Sequence, residues 1–326
     1  MNIEKQNTER NDAPTPFCDC SEIKNIRTLV LEAFQHFAEL FDPEKKIEPG
    51  LSTGYPDLDH LLGGGFKKQE MVVLAARPSI GKTAFALNIA RFVAMKNAHG
   101  ERRRNSVAFF SLEMSAERVS QRLLCTEAKV SLSSLMDRSF NVENMHKLTT
   151  AAAALSKANI FVDPAGGLLI SELRTKAKKL KESPAGLDLI IIDYLQLMRV
   201  DDELSGDNRH AKLSSISNSI KRLAKELDVP ILVLSYLNRE VDRISSDDLP
   251  HLRYLRDGGS IVEDADVVML LHRDRDKEKG KQGEDRISTE ALLQVKKNRN
   301  GKIGEVKLRF FPALMEFRPA AHGIAK

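Results

Sequence analysis

The sequence predicts an α/β fold: a mostly parallel twisted sheet with helices on both faces and a small antiparallel extension near the C-terminal end. Two observations carry this. Apolar runs suited to buried strands alternate with helical patterns from Leu51 onward, the signature of strand–helix–strand units. The first of these runs leads into the octapeptide Ala76-Arg77-Pro78-Ser79-Ile80-Gly81-Lys82-Thr83, which opens a helical pattern in its turn. Strand, tight loop and helix is the context that a phosphate-binding loop requires.

Composition narrows the class further. At 326 residues, 42% hydrophobic and 29% charged, the chain has the make-up of a soluble globular protein with room for a large core. No apolar run approaches the roughly 18 residues of a membrane span, and the polar start from Met1 to Asp12 has no signal-peptide pattern. A cytoplasmic protein with no membrane partner is expected. The net charge of +4 neither demands nor excludes nucleic acid, so any DNA contact must come from local patches. Three cysteines make no disulfide framework in a chain this long, and Cys18-Asp19-Cys20 is too tight for a zinc knuckle. Eight scattered histidines show no ligand spacing, so no metal beyond Mg²⁺ is expected.

Along the chain, residues 1–20 are polar, with Pro14 and Pro16, and read as a flexible tail. Residues 21–44 hold an amphipathic helix, from Ser21 to Phe41, followed by a charged linker. Ile23, Ile26, Val30, Phe34, Phe37 and Phe41 share one face of it. So apolar a stripe must pack on something, either its own domain's core or a neighbouring subunit. Residues 45–318 read as one domain, with 319–326 a short tail. Its expected strands are Met71–Ala76, Val107–Leu112, Asn159–Val162, Leu187–Ile192, Ile231–Ser235 and Ala265–Leu271. The clearest helix between them carries Leu213, Ile216, Ile220, Leu223 and Leu227 on one face. Glu290–Lys297, Glu305–Phe310 and Leu314–Phe317 read as short antiparallel strands.

Ligands of such sheets sit outside the carboxyl ends of the strands, so what ends each strand matters. Backbone N–H groups of Arg77, Pro78's neighbours Ser79 and Ile80, and Gly81 would surround phosphates, with Lys82 adding a point charge and Thr83 holding Mg²⁺. The first glycine of the usual loop pattern is here Ala76. Asp193, after four apolar residues, has the form of a Walker B acid that orders the Mg²⁺ shell; alone it could equally be a cap or an ion-pair partner. Glu113, beyond the second strand, is the candidate base that polarises the attacking water, or else an exposed acid before the next helix. Ser235-Tyr236 ends the fifth strand. Lys297 and Arg299 lie in a basic turn between two C-terminal strands, which by itself could be a solvated hairpin. A basic segment through Arg239, Arg243, Arg253 and Arg256 to Gly258-Gly259 suits phosphodiester contacts. Asp242, Asp247, Asp248 and Asp257 are interspersed there, and leave a solvated loop open.

These segments, in this order, resemble the C-terminal motor domain of the DnaB-type replicative helicases, which has a RecA-like P-loop NTPase fold. The resemblance covers about Ser21 to Phe317. It rests on Leu51–Asp59, Ala75–Ala90, Phe110–Ser115, Ile191–Met198, Leu237–Glu240, Leu255–Asp266 and Lys297–Gly301. Ala76 in place of the first glycine is itself a family trait. The resemblance implies that Lys82 and Thr83 bind ATP-Mg²⁺, with Glu113 as base and Asp193 as Walker B acid. It makes Lys297 and Arg299 the fingers acting on a neighbour's γ-phosphate. Arg256, Asp257 and Gly259, with Arg253 nearby, would contact single-stranded DNA. A homo-hexameric ring moving 5′ to 3′ and unwinding forked DNA is implied, with a primase or loader as further partner, and the trimmed architecture suggests service to a plasmid or phage.

Three departures stand out. Tyr236 occupies the place of a glutamine that senses the γ-phosphate, Lys302 replaces a proline of the finger turn, and the family's N-terminal helical domain has no counterpart beyond the connecting helix. Two other readings use the same residues: a RecA-like recombination or repair ATPase, suggested by Leu51 to Phe66 with its three glycines, and a regulatory helicase-loading subunit.

Overall fold

The computed structural model describes residues 25–40, 49–98, 103–136, 141–200, 209–238, 249–255, 259–273 and 288–320. The chain divides into two compact units, residues 1–47 and 48–326. The first contains helix α1 (Ile26–Leu40), begun by Asn25, whose side chain accepts the Arg27 N–H at 2.8 Å. Ile26, Val30 and Phe34 of the expected stripe are exposed, as are Leu29 and Leu31. Ile23 and Phe41 lie outside the described residues.

In the second unit, six strands run parallel: β1 (Met71–Ala76), β2 (Ser106–Ser111), β3 (Asn159–Asp163), β4 (Leu189–Asp193), β5 (Ile231–Tyr236) and β6 (Val267–Arg273). Three antiparallel strands extend the sheet: β7 (Thr289–Asn298), β8 (Gly304–Phe311) and β9 (Glu316–Pro319). The order across the sheet is β3-β2-β4-β5-β1-β6-β7-β8-β9. The expected strand Leu314–Phe317 starts later than its sequence suggests. Pro312 lacks an N–H for the ladder, Pro312–Leu314 forms a 3₁₀ turn, and Met315 takes a left-handed conformation before β9 begins.

Helices cover both faces. Before β1 lies α2 (Pro56–Leu61), and between the strands lie α3 (Lys82–Met95), α4 (Ala116–Ala128), α5 (Leu132–Met136), α6 (Val142–Leu155), α7 (Ile170–Glu182), α8 (Arg209–Leu227) and α9 (Gly259–Asp264). Alternate residues of each central strand serve opposite cores, as the two-residue side-chain period requires. Val72, Leu74, Phe109, Ile191 and Leu234 join Phe85 and Ile89 of α3 on one side. Val73, Phe110, Ile190, Ile192 and Val233 join Leu173 of α7, Ile216, Ile220 and Leu223 of α8, and Ile261 of α9 on the other. This is why β1, β2 and β4 read as continuous apolar runs: every residue in them is buried.

The antiparallel extension is tied back to the first core. Asn88 of α3 accepts the Phe317 N–H at 2.7 Å and donates to the Met315 carbonyl at 3.3 Å. Phe317 and Phe310 pack beside the start of α3, with ring centroids 4.5 Å apart. Ile220, wholly buried in the second core, measures how much that face contributes. Ile220→Ala should lower the unfolding free energy by about 2–5 kcal/mol, read from the shift of a chemical denaturation midpoint at constant slope.

Candidate functional site

The loop after β1 is shaped by its backbone. Ser79 and Gly81 have φ of +63° and +107°, a combination that turns successive N–H groups inward. At Gly81 a side chain would also be crowded: a Cβ there would lie 3.0 Å from the Phe317 ring, which would have to shift by a few tenths of an ångström. Ile80 is buried in the first core, so its side chain anchors the loop and only its N–H can face a ligand. Pro78 and Ser79 are exposed at the tip. Arg77 is half-buried, and its Nε and Nη2 have no hydrogen-bond partner. α3 starts at Lys82 with no side-chain cap, leaving its first N–H groups and its positive dipole end at the loop.

Lys82 and Thr83 point in different directions. The Lys82 ammonium is buried, donates to the Ser235 carbonyl at 3.1 Å, and stands 3.5 Å from the centroid of the Tyr236 ring. Burial lowers its pKa to about 8, while the Asp193 and Glu113 carboxylates pull it back up. The Thr83 hydroxyl donates to Asp193 Oδ2 at 2.8 Å. Asp193 is fully buried; burial raises its pKa, opposed by Lys82 and by the Thr83 hydrogen bond. Its other oxygen, Oδ1, is buried and accepts no hydrogen bond. A hydroxyl beside a carboxylate oxygen with unused lone pairs is the donor set of a hard, oxygen-liganded cation, so these residues fit Mg²⁺.

Glu113 is exposed beyond the end of β2, just before the Ser115 cap of α4. Its Oε2 accepts the Tyr236 hydroxyl at 3.1 Å. Tyr194, joined to Asp193 by a cis peptide, meets Tyr236 edge-on at 4.6 Å between centroids. Gln196 donates to the Ser235 hydroxyl at 2.8 Å. Arg122 of α4 is half-buried, in the field of Asp193 and Glu113, and burial lowers its pKa. No role was read from the sequence for Tyr194, Gln196 or Arg122. The first two sit in the segment after Asp193 already noted as family-like; Arg122 carries no signal, because only folding brings α4 over the strand ends.

Lys297 and Arg299 are not at this loop. Lys297 lies not in the turn but in β7, paired with Val268, and Arg299 follows the last β7 residue, Asn298, which pairs with Val267 at the start of β6; the loop instead follows Ala76, beside Leu271. The two ends of the sheet are roughly 15–20 Å apart by strand rise. Lys297 donates to the Val262 carbonyl at 2.6 Å and to the Glu263 carbonyl at 3.1 Å, at the C-terminal end of α9. Arg299 donates to the Glu263 carbonyl and pairs with Asp266 Oδ1 at 3.2 Å. Buried Asp266 also accepts the Met71 N–H at 2.8 Å and the Lys221 ammonium at 2.6 Å.

Of the residues expected to meet DNA, Arg256 and Asp257 lie outside the described residues. Gly259 begins α9, with open space where a Cβ would project. Arg253 lies in a 3₁₀ turn and donates to the Tyr254 hydroxyl at 2.7 Å.

Comparisons with known proteins agree with this geometry. The family model described as the DnaB-like helicase C terminal domain matches residues 50–319. A replicative DNA helicase DnaB of Geobacillus stearothermophilus is 38% identical over 294 residues, covering 90% of this chain and 62% of that protein. A replicative DNA helicase DnaC of Bacillus subtilis (strain 168) is 38% identical over 297 residues, covering 91% and 62%. The chain therefore spans about 62% of the length of these relatives. A solved ATPase domain matches with TM-score 0.79 and 29% identity, over 92% of this chain and 100% of that one. A DnaB-like replicative helicase, solved in a study of its interactions with primase, matches with TM-score 0.75 and 30% identity, over 88% of this chain and 65% of that one. The fold is RecA-like, and it implies nucleotide use. Among the described residues, no helix is long and apolar enough to cross a membrane.

The depressed pKa of Lys82 has a measurable sign. The ammonium is charged below about 8 and neutral above, and a phosphate binds the charged form. Nucleotide affinity should therefore weaken about tenfold between about pH 7 and about pH 9, as binding comes to require proton uptake. Titration with a fluorescent nucleotide at each pH tests this, and a flat profile would contradict it.

Proposed function

The chain belongs to the DnaB-like helicase C-terminal domain family, and we propose that it is the ATP-driven motor of a replicative DNA helicase. In this reading it assembles as a homo-hexameric ring, translocates 5′ to 3′ on single-stranded DNA and opens forked duplex, with a primase or loader as partner. The observation that carries the proposal is the division of the machinery between the two ends of one sheet. Lys82, Thr83, Asp193 and Glu113 gather at the carboxyl ends of the strands, while Lys297 and Arg299 stand at the opposite end.

Bound Mg²⁺ supplies charge neutralisation on the phosphate oxygens. The chain's own groups do the rest. Loop N–H groups and the α3 dipole hold the phosphates, and Lys82 adds a full charge once protonated. Thr83 and Asp193 fix the metal side of the site. Glu113 orients the attacking water and takes its proton, which its exposure next to the strand ends permits. The negative charge that builds on the γ-phosphate calls for a further cation, and the protomer's own Lys297 and Arg299 are too far away to supply it. An adjacent copy's Lys297 and Arg299 fill that need. Arg253, Arg256 and Asp257, and Gly259 at the start of α9, lie between β5 and β6 in sequence and are the proposed contacts to the DNA backbone.

Complementation tests the shared site directly. Arg299→Ala should reduce ATP hydrolysis by roughly 10³-fold or more while leaving sedimentation unchanged, and Lys82→Ala should be equally inactive. Mixing the two inactive variants should restore part of the activity, because an intact pocket can then face an intact finger. No restoration in demonstrably mixed assemblies would reject the shared site. Hydrolysis without strand separation on a forked substrate would reject the helicase and leave the ATPase.

A further inference from the structure

Tyr236 touches both groups on which the proposed hydrolysis turns. Its phenol donates to Glu113 Oε2 at 3.1 Å, and its ring centroid lies 3.5 Å from Lys82 Nζ. Tyr194 backs the ring edge-on at 4.6 Å, and its own centroid is 5.2 Å from the same Nζ. The backbone holds the residue in this place. Tyr236 ends β5 directly opposite Ala76, the last residue before the phosphate loop, and the carbonyl of its neighbour Ser235 accepts from Lys82.

A phosphate drawn to Lys82 competes for the side of the ammonium that the ring covers. The ion pair it offers is stronger than attraction to an aromatic face, so the ring gives way. Ring and hydroxyl are one rigid group, and a displaced ring carries its hydroxyl off Glu113. We propose that Tyr236 is a coupling residue: its phenol restrains Glu113 until a phosphate takes Lys82 from its ring. The proposal rests on the reading of Glu113 as the base and adds a condition to it, that the base is released only in a pocket whose lysine is engaged. A glutamine at this position could report on phosphate but could not cover the ammonium, so the coupling belongs to the tyrosine. Burial, followed by the nearby Glu113 carboxylate, drives the phenol pKa upward, so the hydroxyl stays a donor at any working pH.

The chain has no tryptophan and four tyrosines, which makes tyrosine emission a direct reporter. A phenol hydrogen-bonded to a carboxylate is quenched. Adding a non-hydrolysable ATP analogue with Mg²⁺ to the full-length protein should raise the emission, and the rise should be lost in Tyr236→Phe. That variant keeps the ring and drops the hydroxyl. With the bond that the phosphate must break already gone, it should bind the nucleotide roughly three- to tenfold more tightly than wild type. Tyr236→Ala, which also uncovers Lys82, should bind nucleotide more tightly than either, and melting curves confirm that each variant is folded. Emission that stays silent with analogue bound overturns the coupling. Nucleotide affinity in Tyr236→Phe that is unchanged or weaker also overturns it, since the phosphate would then break no bond of the phenol. A wild type that binds nucleotide without hydrolysing it defeats the proposed function, and the emission still decides the coupling.

Discussion

The register of β1 between β5 and β6 is the constraint on which the rest of the molecule depends. Every residue of β1 is buried, with alternate side chains committed to opposite cores. A slip of one residue would exchange the two sets and is therefore strongly disfavoured. With register fixed, Ala76 stands beside Tyr236, and the loop that follows must start its helix next to the end of β5. The same logic runs outward through β4, whose Asp193 is placed one strand beyond β5 and within reach of Thr83. Among the described residues, Lys82, Thr83, Asp193 and Glu113 are all placed at this end by strand termini rather than by long loops.

Two buried charges mark the two ends of that strand, and each is handled differently. Lys82 is compensated loosely, by a carbonyl, two aromatic rings and carboxylates that are not in direct contact, and its pKa falls. Asp266 is satisfied completely, by a backbone N–H, an ammonium and a guanidinium. A loosely held charge can change partner at little cost, whereas a fully paired one is expensive to break. The contrast suits a pocket that must exchange ligands and a carboxylate whose bonds to the Met71 N–H and to Lys221 tie β1 to α8.

How much of this could be read from the chain follows from where each signal resides. The phosphate loop, Asp193 and the five-residue face of α8 are local: spacing and strand context expose them, and the structure places them as expected. Contacts such as Tyr236 with Glu113, or Arg299 with Asp266, join residues from different strands and turns, and no local pattern contains them. Arg122 enters the site only because α4 folds back over the strand ends. Ile80 shows the converse. It belongs to the loop by sequence, yet its side chain is spent on the core, since a tight loop with no buried anchor could not keep its shape. At β9 the expected strand began too early because Pro312 and the left-handed Met315 outweighed an apolar run.

The opposed placement of the loop and the basic turn has a consequence for how copies of this chain can meet. A contact in which one copy's turn faces another's loop joins unlike surfaces, and where these lie on opposite faces of the protomer it repeats head to tail. Such a chain of contacts is polar, and it either bends until it closes or continues as an open helix. In the proposed closed form a protomer that has lost both its loop and its turn would spoil two neighbouring pockets, so a minority of such copies would act as a dominant poison.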